Sequence, residues 1–172
     1  ISYKQPTMIV IPKGTQSQRS VKNFRPLSLT NTEGKLYDKN LNARVTNHFE
    51  EHGYTNSRQH GFKVRHGTHT ALATLHQEIS NHLKQKHKVD IVLRDVSKAF
   101  DKVWHNGLKY KLLQTNLPPC LLKTVTSFIT DRTATLRIGS FNGTPFTLET
   151  GVPQGACLSP TLYSFYTHDL PK

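Results

Sequence analysis

Two aspartates lie six positions apart in the segment RDVSKAFDKVWH, which runs from Arg94 to His105. Asp95 follows an apolar run that is predicted to be a strand, and a carboxylate at a strand end can hold Mg²⁺ together with substrate phosphates. Asp101 falls in the first turn of the helix predicted next, where an acid favours the positive end of the helix dipole. Position therefore selects Asp95 as the metal ligand and Asp101 as a structural residue. From spacing alone, the simpler interpretation is favoured, namely that both aspartates only occupy the start of a helix.

A segment rich in glycine and proline, TGVPQGACLSP, runs from Thr150 to Pro160. Two glycines and a proline within six residues predict a tight loop between a strand and a helix. Gly155 lets a ligand or another backbone approach closely, and Gln154 offers a paired donor and acceptor. An ordinary strand-to-helix connection has the same composition, so the pattern alone does not distinguish the two.

Two other groups of polar residues suggest binding more weakly. NFRPLSLTN is predicted to be a polar, basic loop that presents Arg25 for phosphate contact, although a single arginine of this kind is more often solvated. His48 and His52 have the i,i+4 spacing of helical zinc ligands. Because no H-E-x-x-H frame or third ligand accompanies them, solvated histidines are favoured.

The chain as a whole is strongly basic. Its 172 residues carry 23 Lys and Arg against 11 Asp and Glu, a net charge of +12, which favours nucleic acid as a partner ahead of an acidic membrane surface. Cys120 and Cys157 form no C-x-x-C pair, which argues against a disulfide scaffold or a thiolate zinc site and fits a reducing compartment. Without a long apolar run or signal segment, a soluble intracellular protein that does not bind membranes is expected. The start at Ile1 and the end at Lys172 suggest an excised piece.

Apolar spacing and capping residues predict five helices. They begin near Leu36, after Gly67, at an N-cap Ser97, at Pro119 and at an N-cap Ser159. The apolar faces of the first two are formed by Leu41, Val45 and Phe49 and by Leu72, Leu75, Ile79 and Leu83.

The predicted strands are MIVIP, the buried segment VDIVLRDV, and TATLRIG and TPFTLET on either side of the turn signal Asn142-Gly143. The mixture of helices with at least one antiparallel pair indicates an α+β fold.

Six segments resemble, in order and spacing, the reverse transcriptases of non-LTR (LINE-type) retrotransposons, especially the jockey and I-element branches. They are IPKG, NFRPLSLTNTEGKLYDK, QHGFKVRHGTHTAL, DVSKAFDKVWHNGL, SFITDRTATLRIGSFNG and GVPQGACLSPTLYSFYTHDLP. One such block is unspecific, whereas six in family order over essentially the whole chain are specific. A group II intron or other cellular reverse transcriptase is the nearest alternative, but DVSKAFDKVWH and TGVPQGACLSP look more like the LINE-type version.

The resemblance implies the fingers and partial palm of a right-hand polymerase, with the palm's antiparallel sheet backed by helices. It assigns residues 1–85 to the fingers and residues 86–117 and 149–172 to the palm. Residues 118–148 would be an insertion of the fingers and palm that carries the hairpin. The aromatic-Ala-Asp-Asp turn and the thumb, which complete the family's polymerase, are not found in the sequence.

The resemblance also implies the roles of single residues. Asp95 matches the first metal-binding aspartate, with the backbone carbonyl of Val96 as a further ligand, and Phe100 matches the gate that excludes a 2′-OH. The remaining nucleotide-site residues would be Gln154, Gly155, Lys13 and Arg25. Two Mg²⁺ ions would serve the complete active site, and the partners would be an RNA template, a DNA primer and deoxynucleoside triphosphates. The expected location is the cytoplasm and nucleus, as a ribonucleoprotein.

Two departures from the family pattern qualify these expectations. No adjacent Asp-Asp pair occurs, so the 172-residue chain alone is expected to be inactive. Arg94 stands where the family usually has an apolar residue, and strand alternation is expected to direct it into the core, where an unpaired guanidinium is costly. Arg94, and more mildly Asn40 in an apolar helix stripe, therefore suggest decay. The alternative function is a non-catalytic nucleic-acid-binding remnant of a decayed or domesticated element.

Overall fold

The structure, a computed structural model, describes residues 4–12 and 23–169. The chain divides into two compact units, one formed by Ile1–Tyr54 with Lys98–Lys172 and the other by Thr55–Ser97. We call them the major and the minor unit. Helices and a mixed sheet are both present, which confirms the predicted α+β class. The assignment of residues 1–85 to the fingers, 86–117 and 149–172 to the palm and 118–148 to an insertion stays a prediction.

A five-stranded mixed sheet lies in the major unit. The strands are β1 (Thr7–Pro12), β2 (Phe24–Leu29), β3 (Arg132–Ile138), β4 (Phe141–Asn142) and β5 (Phe146–Leu148). The main path runs β2-β1-β3-β4, and β5 pairs with β3. β1 is antiparallel to β2, with Met8 opposite Ser28, and parallel to β3, with Met8 opposite Leu136. β1 is therefore the strand that joins two distant parts of the sequence.

Four helices pack around one apolar core in the major unit. They are α1 (Thr32–Glu51), α3 (His105–Leu113), α4 (Pro119–Ile129) and α5 (Leu158–Tyr166), while α2 (Thr68–Lys84) belongs to the minor unit. The apolar stripe predicted for α1 is buried, and Phe49 stacks on Phe165 of α5 with ring centroids 4.5 Å apart. α4 begins with Pro119 at its first position, as predicted, because a missing N–H costs nothing there. Val125 and Ile129 of α4 are fully buried.

The predicted strand VDIVLRDV is wrong. Residues 87–96 have no regular secondary structure, and Ile91, Val92 and Leu93 are 54%, 76% and 88% exposed. A strand needs a neighbour that accepts and donates its ladder hydrogen bonds, and no strand in the described ranges pairs with this segment. Arg94 is exposed as well, so the expectation that its guanidinium is buried is also wrong.

Three predicted boundaries also differ from the structure. The helix expected from Ser97 is a 3-10 turn, Ala99–Lys102, followed by α3 from His105. The hairpin reverses at Gly139-Ser140, because Ile138 pairs with Phe141, and Asn142 lies in β4 instead of in the turn. α5 begins at Leu158, one residue before its predicted N-cap Ser159, because the carboxylate of Asp38 in α1 accepts hydrogen bonds from the N–H groups of Cys157 and Leu158.

The segment predicted to be a basic loop is strand β2 for most of its length. Pro26 obscured this, since proline donates no ladder hydrogen bond. β2 is an edge strand, the position in a sheet at which a proline is tolerated. Arg25 is exposed on β2 opposite Ile11. Asn40, predicted to interrupt the apolar stripe of α1, is exposed and lies outside it.

The minor unit contains helix α2 and irregular segments on either side of it. The helix follows Gly67 as predicted, but its apolar face is not buried: Leu72, Leu75 and Leu83 are all exposed. No helix in residues 4–12 and 23–169 is both long enough and apolar enough to cross a bilayer.

Candidate functional site

The first two segments singled out in the sequence meet in the major unit through the backbone. Gly151 N donates to the carbonyl oxygen of Val103 at 2.8 Å, and Val152 N donates to that of Phe100 at 2.8 Å. The hydroxyl of Thr150 donates to the carbonyl oxygen of Asp101 at 3.1 Å. We call residues 150–155 the Gln154 loop. Three hydrogen bonds to the carbonyl oxygens of residues 100, 101 and 103 hold this loop against the 3-10 turn and the residue that follows it.

Gln154 connects this loop to both of its neighbours. Its side-chain Nε2 donates to Asp101 Oδ1 at 2.7 Å, and its backbone carbonyl accepts from Ser28 N of β2 at 2.9 Å. Gly155 lies close to the same strand, since a Cβ built there would be 3.2 Å from the carbonyl oxygen of Ser28. All three sequence segments therefore converge on Gln154.

Gly151 is required by the closeness of this packing. Its φ is +82°, and a Cβ there would lie 2.9 Å from Asp101 Cα and from the carbonyl oxygens of Phe100 and Asp101. Real Cβ atoms essentially never come so close to a backbone. Both glycines of the TGVPQG segment therefore allow close packing: Gly151 lies against the 3-10 turn, and Gly155 lies against β2.

The carbonyl oxygen of Gly151 accepts two side-chain hydrogen bonds. His105 Nε2 lies 2.7 Å from it and Arg132 Nη2 lies 2.9 Å from it, and both side chains are buried. Because a carbonyl only accepts, His105 carries its proton on Nε2. Burial lowers the pKa of His105, and the positive charges of Arg132 and Lys109 lower it further, against the Gly151 hydrogen bond, which raises it.

Arg132 is a buried cation that is only partly satisfied. It is 3% exposed, and its Nε and Nη1 have no hydrogen-bond partner in the described part of the chain. Desolvation lowers its pKa to about 10. It lies beside a cavity of about 280 Å³ whose wall also includes Asp101, Glu149 and Gln154. A buried guanidinium, that of Arg132, therefore donates the hydrogen bond to the Gly151 carbonyl of the Gln154 loop.

Phe100 is half-buried and packs against the apolar core. Its ring lies over Tyr163 of α5, with centroids 5.2 Å apart and planes at 31°. This packing restricts how far the Phe100 ring can rotate.

The predicted metal residues lie in the minor unit. Asp95 and Val96 are exposed in the segment without regular structure. The described ranges bring together no group of three or more His, Cys, Asp or Glu side chains suited to a metal ion. Mg²⁺ is usually held by one or two carboxylates together with waters and substrate phosphates, so Asp95 and the carbonyl of Val96 could supply part of such a site. Lys13, the other predicted finger cation, lies outside the described residues.

Three residues of this site were not identified from the sequence. His105 and Arg132 are scattered polar residues whose common partner, the Gly151 carbonyl, becomes visible only in three dimensions. Asp38 lies within an otherwise ordinary helix, yet its carboxylate is buried and accepts from the first backbone N–H groups of α5. A signal for Asp38 existed: it precedes the buried Leu41 by three positions and so shares its helix face.

Comparison with known proteins places these segments in a family. Residues 11–172 match the model of the family described as reverse transcriptase (RNA-dependent DNA polymerase). The chain is similar to a probable RNA-directed DNA polymerase from transposon X-element of Drosophila melanogaster, with 31% identity over 99% of this chain and 19% of the relative. It is also similar to the RNA-directed DNA polymerase from mobile element jockey of the same species, with 31% identity over 99% of the chain and 18% of the relative.

A more distant relative is the retrovirus-related Pol polyprotein from type-1 retrotransposable element R2 of Popillia japonica, with 28% identity over 86% of the chain and 20% of the relative. The chain spans about a fifth of the length of the curated relatives it matches. The resemblance to non-LTR retrotransposon enzymes is thereby confirmed. The chain belongs to the reverse transcriptase (RNA-dependent DNA polymerase) family.

Proposed function

We propose that this chain is part of an RNA-directed DNA polymerase of a non-LTR retrotransposon and supplies much of its nucleotide-binding surface. The observation that carries the proposal is the convergence of the 3-10 turn, the Gln154 loop and β2 on one side chain, Gln154. The net charge of +12 supports a polyanionic partner, here an RNA template with a DNA primer. The location that goes with this function is the cytoplasm and nucleus, as a ribonucleoprotein.

In this proposal, the major unit binds the incoming deoxynucleoside triphosphate. Gln154 and Gly155 line the nucleotide, and Phe100, fixed against Tyr163, leaves no room for a 2′-OH on its sugar. Arg25, exposed on β2, contributes positive charge toward the triphosphate, and Lys13 is proposed to do the same. Neutralising the phosphates lowers the cost of the charge that develops as the bond to the leaving pyrophosphate breaks.

The magnesium part of the proposal is restricted to what this chain offers. Asp95, with the backbone carbonyl of Val96, would contribute ligands to two ions whose other ligands come from outside the described residues. Bound Mg²⁺ supplies activation of the primer hydroxyl and stabilisation of the leaving group. The exposed position of Asp95 leaves its carboxylate accessible to an ion.

A second candidate function is a non-catalytic nucleic-acid-binding remnant. The feature that favours it is the strongly basic character of the chain, with a net charge of +12. Such a module would bind template and primer through phosphate contacts, with a strong dependence on salt. It would not need Asp95, Phe100 or Gln154.

Primer extension separates the two functions. In a longer polymerase that contains these 172 residues, Asp95→Asn should abolish magnesium-dependent DNA synthesis and leave template–primer binding intact. Asp90→Asn is the matched control, since Asp90 is an exposed aspartate five positions earlier in the same segment, and it should leave synthesis unchanged. Equal activity of the two variants would refute the catalytic role of Asp95. Magnesium-dependent synthesis by the 172-residue chain alone would contradict the expectation that it is inactive by itself.

A further inference from the structure

We propose that Asp101 is the positioning residue for Gln154: its carboxylate holds the side-chain amide in one orientation for the incoming nucleotide. This inference rests on the function proposed above. It gives a role to the second aspartate of the segment RDVSKAFDKVWH, which the metal site does not use.

The direct contact is short and one-directional. Gln154 Nε2 donates to Asp101 Oδ1 at 2.7 Å, and an ionised carboxylate only accepts. An isolated glutamine amide can turn by 180° and exchange its oxygen and nitrogen at little cost. Opposite a carboxylate it cannot, because the turned amide would place two oxygens in contact. Asp101 therefore determines that the amide oxygen and the second N–H of Gln154 are the groups left for a ligand.

The backbone of Asp101 is itself held in place. Its N–H donates to the carbonyl oxygen of Lys98 at 3.0 Å inside the 3-10 turn. Its carbonyl oxygen accepts from the Thr150 hydroxyl at 3.1 Å. On either side, the carbonyls of Phe100 and Val103 accept from the Gln154 loop. The backbone that carries the Asp101 carboxylate and the loop that carries Gln154 are thus hydrogen-bonded to each other. Such support by neighbouring hydrogen bonds is what keeps a binding side chain in one orientation.

The simpler role, an acid that begins an α-helix, does not describe this residue. Asp101 lies in a four-residue 3-10 turn, and α3 begins only at His105, four positions later. The carboxylate bonds to a side chain 53 positions away in the sequence and lies in the wall of the 280 Å³ cavity with Gln154 and Arg132. Asp101 is half-buried, so the hydrogen bond is partly shielded from competing water.

The kinetic test uses a longer polymerase that contains this chain and measures incorporation of one deoxynucleotide. Asp101→Ala should raise KM for the nucleotide about tenfold, with a much smaller change in kcat, the size expected for a lost hydrogen bond to a charged group. Asp101→Asn keeps an acceptor oxygen and should cost less. In a Gln154→Ala background, Asp101→Ala should add less than about twofold, because its partner is already gone.

The matched control is Glu149→Gln, which converts an exposed carboxylate in the wall of the same cavity into an amide. It should leave KM unchanged. A merely structural role predicts a different result: Asp101→Ala would lower the active fraction and therefore kcat, with KM unaffected. That outcome, or a full tenfold increment of Asp101→Ala in the Gln154→Ala background, would overturn the proposal.

The contact is tested separately in the 172-residue chain by NMR of the Gln154 side-chain amide. Asp101→Ala should speed the hydrogen exchange of that amide and Glu149→Gln should not; equal exchange in all three proteins would refute the contact. If the NMR result is as expected but neither the parent polymerase nor any of its variants synthesises DNA, the proposed function is refuted, and the nucleotide role of Asp101 is refuted with it. An active polymerase with additive Asp101 and Gln154 effects would refute the Asp101 assignment alone.

Discussion

Asp38 Oδ1 accepts the backbone N–H of Leu158 at 3.0 Å, although the two residues are 120 positions apart. The other carboxylate oxygen accepts the N–H of Cys157. The first N–H groups of α5 are thus satisfied by α1, and Ser159, the residue predicted to cap the helix, is buried inside its first turn. Burial raises the pKa of the Cys157 thiol, and the negative charge of Asp38 raises it further.

Asp38→Asn should destabilise the protein by about 1–3 kcal/mol, because an amide replaces a charged acceptor of two backbone N–H groups at the positive end of a helix. Thermal unfolding followed by circular dichroism measures the loss. Glu51→Gln, the same chemical change at an exposed position of α1, should stay within about 0.5 kcal/mol of the parent. Equal stability of the two variants would show that the cap contributes nothing.

Gly151→Ala should cost about 3 kcal/mol or more, since it combines a positive φ with overpacking against the 3-10 turn. Gly139 is the control, because its φ of +60° imposes the same backbone strain but nothing lies within 4 Å of a built Cβ. Gly139→Ala should therefore cost only about 1 kcal/mol. Urea unfolding of both variants checks the difference, and equal midpoints would contradict the close contact between loop and turn.

His105 should make stability depend on pH in the acid range. Burial lowers its pKa below 6.5, so the unfolded chain binds this proton more readily than the folded one. The contribution of His105 is complete above the unfolded pKa and is lost as pH falls from about 6.5 toward the lower folded pKa.

In His105→Gln, which keeps a donor for the Gly151 carbonyl, the slope of unfolding free energy against pH below about 6.5 should be smaller by up to one proton. Urea titrations between about pH 5 and 7.5 measure that slope in both proteins. Identical slopes would mean that His105 takes up its proton equally in the folded and unfolded chains.

Arg94→Leu should leave the melting temperature nearly unchanged, with a stability difference within about 0.5 kcal/mol, since Arg94 is exposed. The burial expected from strand alternation predicts a clear rise in melting temperature, because it removes an unpaired buried charge. Calorimetry distinguishes the two results. A rise would indicate that the segment of residues 89–96 is packed inside the protein in solution.

Helices with a regular apolar period and the strands MIVIP, TATLRIG and TPFTLET were predicted, whereas two segments whose structure depends on a neighbour were not. α1, α2 and α4 each carry their signal in their own residues. β2 was missed because its proline is acceptable only at a sheet edge, and its position at that edge is a property of the whole sheet. Residues 89–96 are apolar like a strand but have no partner in the described part of the chain.

The same distinction applies to the candidate site. The tight loop around Gln154 and Gly155 was predicted correctly, because glycine and proline act locally, and the roles of the two residues at a nucleotide site stay predictions. Asp101 was assigned a local role at a helix start, whereas its partner lies 53 positions away. Arg132 and His105 carried no local signal, since they meet only through the carbonyl oxygen of Gly151.

The position of β1 between β2 and β3 has a consequence for the order in which the molecule is assembled. Residues of β1 pair with antiparallel partners that are 12 to 22 positions away along the chain, but their parallel partners, Thr135 to Arg137, are 128 positions away. During synthesis, the β1–β2 pair emerges early and exposes an open edge until β3 leaves the ribosome. At about 5–20 residues per second, that interval lasts on the order of ten seconds. Throughout it, the edge of β1 is available to the same strand of another nascent chain, so neighbouring ribosomes on one messenger favour mispairing.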